Sequence, residues 1–137
     1  MGEELVDALP HTVYIEAKVG LSRDAGLRLG GALPLRQWLR VDAGVTAWSS
    51  GVLALDVMPV VRVGSRWFAE AGLGGAFLLN QDHAQNGSDL LFAESVGFGR
   101  QGDKWGAALH YHHYSNANLA RPNRSYDFLG FGVSYKW

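Results

Sequence analysis

Residues 112–127 read HHYSNANLARPNRSYD, a run of imidazole, hydroxyl, amide and carboxylate groups in a chain otherwise rich in Gly, Ala, Val and Leu. Three of these residues have the types that one reaction needs. A serine hydroxyl such as that of Ser115 becomes a nucleophile when an imidazole such as His113 takes its proton, and a carboxylate such as Asp127 orients the imidazole and stabilises the imidazolium that forms. Acyl transfer from an ester is the chemistry that follows. Asn116, Asn118 and Asn123 add amides suited to positioning, or to holding an oxyanion through a side-chain or backbone N–H. For the set to work, His113 and Ser115 must share one face of an element, and Asp127 must lie beside them on a neighbour.

The chain supplies such elements as strands. Residues 11–21 set Val13, Ile15, Ala17, Val19 and Leu21 against Tyr14, Glu16, Lys18 and Gly20, the period of two expected of a half-buried strand. The same alternation recurs over 25–35, 39–47, 53–63, 67–79, 105–115 and 126–137. Residues 90–99 form a further segment, in which Glu94 shares parity with Leu90, Phe92, Val96 and Phe98, so that a bulge or a misread face is expected there. Strands of this length with short connections predict a single all-β domain over 1–137, an eight-stranded antiparallel up-and-down barrel.

The second row carries both signs of charge (Glu16, Lys18, Arg28, Arg40, Asp42, Asp56, Arg62, Glu70) interleaved with Gly and Ala. Such a row suits a narrow lumen of neutralising pairs, with the apolar row facing lipid in a transmembrane barrel. In a soluble lipocalin-like carrier the two faces would be exchanged. Trp38, Trp67, Trp105 and Trp137 all fall at the end that holds the termini, where an aromatic girdle would sit among headgroups. A closing aromatic residue resembles the C-terminal signature of bacterial outer-membrane barrels. Short turns near 36–37, 64–65 and 101–104 share the Trp end, and the long segments 80–89 and 116–125 lie at the other, which is expected to be extracellular.

Parity then places the reactive residues. His113 and Ser115 continue the row of Trp105, Ala107, Leu109 and Tyr111, and Asp127 begins the row of Leu129, Phe131, Val133, Tyr135 and Trp137. All three are expected on the lipid-facing surface at the extracellular strand ends. Alternate residues of a strand lie roughly 6.5–7 Å apart and the next strand about 4.8 Å away, so the imidazole can reach a hydroxyl and a carboxylate. Polar groups on a bilayer-facing row are costly, which favours a functional reading.

HYSNANLARPNRSYD (113–127) resembles the signature of the lipid A 3-O-deacylases of the PagL type, His-x-Ser-Asn-Ala-Gly, then Pro-Asn, then an acidic residue. FAEAGLGGAF (68–77) is similar to that family's fifth strand. The resemblance implies an eight-stranded outer-membrane barrel that hydrolyses the ester at position 3 of lipid A, with Ser115 as nucleophile, His113 as base and Asp127 as acid. Two positions depart from the pattern: Asp127 stands where the family commonly has Glu, and Asn118 where it has Gly.

Other classes are disfavoured. Lys and Arg number 12 against 13 Asp and Glu, with no basic cluster, so nucleic acid is not an expected partner. Cysteine is absent, which removes disulfides and thiolate metal sites. Met1-Gly2-Glu3-Glu4 has no apolar segment of signal-peptide type, so an exported protein would be present here in mature form with an added start. His110 and His112 have the parity of the lumen and no visible acidic partner row, so neither a metal nor any other cofactor is expected. The expected partners are lipid A of lipopolysaccharide and the surrounding outer-membrane lipids. The oligomeric state, a homodimer included, stays open, and a non-enzymatic adhesin or anchor contacting lipopolysaccharide is the alternative function.

Overall fold

A computed structural model of the chain describes residues 11–21, 24–81, 87–117, 119–122 and 125–137. Its strands are β1 (Thr12–Gly20), β2 (Ala25–Arg36), β3 (Leu39–Trp48), β4 (Leu53–Gly64), β5 (Trp67–Leu79), β6 (Leu90–Gln101), β7 (Trp105–Ser115) and β8 (Tyr126–Lys136). They pair antiparallel in chain order, and β8 pairs back onto β1 to close the barrel. Closure leaves no unpaired strand edge, which a sheet in lipid requires. The β6 register is continuous on both sides. Glu94 stands opposite Leu73 of β5 and His113 of β7, and it does share the outward face with Phe92 and Val96. Neither the bulge nor the misread face expected there is found.

The surface is inverted relative to a water-soluble barrel. Leu29, Val63 and Leu73 are 60%, 62% and 62% exposed, whereas Lys18 and Asp56 are 1% and 4% exposed. Trp38, Trp67, Trp105 and Trp137 are exposed together at the end of the short turns. The turn between β4 and β5 needs its glycine: Gly64 lies at φ 105°, and a Cβ there would meet the Trp67 carbonyl oxygen at 2.2 Å.

Inside, ion pairs hold the charged row. Arg28 grips Asp56 with two guanidinium nitrogens. Arg40 binds Asp42 at 2.7 Å and Glu70 at 3.0 Å, and Arg62 binds Glu70 at 2.9 Å. Buried charges are tolerable when paired in this way. The inward glycines give these long side chains room: a Cβ on Gly44 would strike the Arg28 guanidinium at 2.7 Å, and one on Gly30 the Tyr14 ring at 2.4 Å.

Towards the long-loop end the interior becomes apolar. Trp48 packs on Tyr126 and Phe128 with ring centroids 4.7 and 5.2 Å apart, and Tyr114 meets Phe128 edge-on at 6.0 Å. Leu78, Leu91 and Ala93 belong to the same cluster. Lys18 Nζ caps it from the charged side, donating to the Tyr114 hydroxyl at 2.8 Å.

Candidate active site

The site is built on the aromatic plug. In β7, Tyr114 is buried inside while His113 and Ser115 point outward, and in β8 Tyr126 and Phe128 flank the outward Asp127. A one-residue slip of either strand would expel these aromatics into lipid and turn the polar residues inward. Burial of Tyr114, Tyr126 and Phe128 therefore fixes the face on which His113, Ser115 and Asp127 appear.

Register does the rest. His113 is the direct partner of Asp127, as Tyr114 is of Tyr126. The imidazole donates from Nδ1 to Asp127 Oδ1 at 2.6 Å. That bond keeps the proton on Nδ1 and leaves Nε2 as an acceptor, the tautomer a general base needs. Ser115 is next along the same outward face, opposite Phe92 of β6. Imidazole and carboxylate are both half-buried, with side chains 31% and 25% exposed, so the pair is open to a lipid arriving from the outer face.

Two further groups hold the carboxylate. Tyr111 donates its hydroxyl to Asp127 Oδ1 at 2.5 Å, and Ser125 donates to Oδ2 at 3.2 Å. From the sequence Tyr111 reads only as a member of the outward apolar row, and Ser125 stands out in no motif. The available signal was parity: Tyr111 and Ser125 each lie two residues from a triad candidate, on the same face. Glu94 also faces outward, and the β6 register sets it beside His113 on the side away from Asp127.

Asn116 is 1% exposed and directed inward, its side-chain amide donating to the Pro122 carbonyl at 3.4 Å. Its backbone carbonyl accepts the Leu119 N–H at 3.0 Å. Both bonds tie down the loop that follows Ser115. Asn118 and Asn123 lie outside the described residues. Among the described residues of this loop, Ala117 has left-handed backbone, at φ 54°, an uncommon conformation for a residue with a side chain.

His110 and His112 point into the lumen, as their parity implies, but they do meet acids there. Glu16 of β1 and Glu70 of β5 face them. The carboxylates come from strands that glycines separate from β7, so no local pattern reveals them.

A closed barrel with an apolar exterior, an aromatic girdle and a charged, ion-paired lumen is a transmembrane β-barrel of the bacterial outer membrane. Within that class, the family model for lipid A 3-O-deacylase (PagL) matches residues 13–136, and the chain belongs to this family. The crystal structure of the outer membrane enzyme PagL superposes with a TM-score of 0.80 at 25% identity, over 90% of this chain and 97% of that one. Neisserial surface protein A gives 0.65 at 12% identity, over 93% and 95% of the two chains. A de novo designed transmembrane β-barrel gives 0.73 at 14%, also over 93% and 95%. The last two likenesses concern the fold alone. No curated protein matches the chain in sequence.

Proposed function

We propose that the protein is a serine esterase that removes the acyl chain ester-linked at position 3 of lipid A in the outer leaflet, releasing a 3-hydroxy fatty acid. The observation that carries this reading is the His113–Asp127 bond on the lipid-facing side of β7 and β8, with Ser115 next along the same face. Ser115 Oγ attacks the ester carbonyl carbon as His113 Nε2 takes its proton. Collapse of the tetrahedral intermediate breaks the bond to the sugar oxygen, which receives that proton and leaves as a free 3-hydroxyl. Water then attacks the acyl-enzyme with the same imidazole as base, and the fatty acid departs. Asn116, Asn118 and Asn123 are assigned to positioning the loop and to the oxyanion. The chemistry needs no cofactor.

Mass spectrometry of lipopolysaccharide incubated with the purified protein tests the reading: loss of one 3-hydroxyacyl group from lipid A is expected, and an unchanged lipid A would leave a non-enzymatic barrel. The topology is tested on intact cells. Added protease is expected to cut within 80–89 or 116–125 and to spare the turns near 37, 65 and 102. Cleavage confined to those turns would put Ser115 at the inner leaflet, away from lipopolysaccharide.

Glu94 offers a stability test of the same orientation. A carboxylate among Phe92, Val96 and Leu73 on the outward face is a cost to insertion. Glu94→Leu is expected to raise the unfolding free energy in lipid vesicles by about 1 kcal/mol in a urea titration. A loss of stability would show that the carboxylate serves the fold.

A further inference from the structure

We propose that Glu16, His110 and His112 form a lumenal binding site for a divalent transition-metal ion of the zinc class, with Glu70 orienting His110 from behind. One donor atom from each of the three residues lies within 4.8 Å of the others. His112 Nε2 is 2.8 Å from Glu16 Oε1, and His110 Nδ1 is 3.2 Å from Glu16 Oε2. Despite these distances, Glu16 Oε1, His110 Nδ1 and His112 Nε2 are buried and make no well-aligned hydrogen bond. The atoms are close but not aligned as donor and acceptor. Lone pairs that share one cation are disposed in this way.

The surroundings separate Glu16 from the other lumenal acids. Asp56, Asp42 and Glu70 are each held by guanidinium groups. Glu16 has Lys18 at 3.8 Å, and that ammonium donates to the Tyr114 hydroxyl. Its oxygens are turned towards imidazoles. Glu70 Oε1 meets His110 Nε2 at 2.5 Å, so the ring's proton is drawn to Nε2 and Nδ1 is left with a free lone pair on the side of Glu16, available to a cation. A carboxylate behind a histidine is the usual outer partner of a metal-bound imidazole. Room is provided as well. A Cβ on Gly97 would strike His110 Cδ2 at 2.3 Å, and one on Gly130 would strike the Glu16 carboxylate carbon at 2.7 Å. A cavity of about 60 Å³ adjoins all three residues, enough for solvent to complete the coordination. Two nitrogens and one oxygen suit zinc and its neighbours better than magnesium or calcium, which take oxygen ligands.

Such an ion would join β1 to β7 across β8, from inside the wall whose outer face carries His113, Ser115 and Asp127. The competing occupant is a proton, shared by His110 between Glu16 and Glu70. The test uses the full-length barrel in detergent, stripped with chelator and then titrated with Zn²⁺ by calorimetry and with Co²⁺ by absorption. Binding of one ion per chain, with visible Co²⁺ bands and a higher Tm, is expected. His112→Phe keeps a ring against Tyr114 and should abolish both signals, while Glu70→Gln should weaken Zn²⁺ binding about 10- to 100-fold. Should His112→Phe fail to form a heat-resistant barrel, Glu16→Gln gives the same reading. Absence of stoichiometric binding to wild type, or equal binding by His112→Phe or Glu16→Gln, overturns the site and leaves the shared proton. Because these readouts are independent of lipid A hydrolysis, the result stands apart from the esterase reading.

Discussion

Ser115→Ala is expected to lower release of 3-hydroxy fatty acid from lipopolysaccharide by roughly three or more orders of magnitude, since it removes the atom that would form the acyl-enzyme in the proposed mechanism. His113→Ala should fall to a similar level, because a serine hydroxyl is a poor nucleophile without its base. The double variant should be little worse than either single one, as members of a catalytic unit do not add. None of these changes should unfold the barrel. His113 and Ser115 are half-buried on the outward face, and the packing that holds β7 belongs to Tyr114 and its contacts with Trp48 and Phe128. Heat-modifiable migration on a gel should therefore be unchanged, which separates loss of chemistry from loss of fold. A near wild-type rate in either single variant would remove that residue from the mechanism.

The barrel could be read from sequence because lipid and lumen impose a period of two on every strand, and eight segments repeating it admit few architectures. The face of the reactive residues followed from the same rule. His113, Ser115 and Asp127 keep the parity of Leu109 and Leu129, and the structure puts them on that side. Contacts across the wall or the lumen were not legible. Parity tells which way Tyr111 points, but only the β7–β8 register brings its hydroxyl to Asp127. Glu16 and His110 are far apart in sequence, and they meet because Gly130 lies between them and leaves the wall bare. Glu94 is a third kind of case. Its parity was correct but contradicted the expectation of an apolar row, and a rule based on averages over a strand cannot say whether one charged residue is an exception or an error.

Asp127→Asn is expected to lower kcat by about 10³- to 10⁴-fold with little change in KM, because in the proposed mechanism the carboxylate acts on the imidazolium that forms in the transition state rather than on bound lipid. With its oxygen in the place of Oδ1 the amide can still accept from Tyr111, and its NH2 can donate to the Ser125 hydroxyl, so the local structure should persist while the negative charge is gone. Asp127→Glu separates charge from reach. Asp127 and His113 are direct cross-strand partners joined by a bond of 2.6 Å, so the aspartate already spans the gap, and a longer side chain must bend to keep the contact. The outward face leaves it room to do so. Glutamate should therefore retain much more activity than asparagine, with a loss of about tenfold in kcat, since a misplaced but charged orienter still stabilises the imidazolium. Asparagine equal to wild type would make Asp127 a loop-rim residue, with His113 oriented by another group; the adjacent Glu94 would then be the carboxylate to replace next. Glutamate as inactive as asparagine would show that β8 is set closely enough to β7 that the short acid is required.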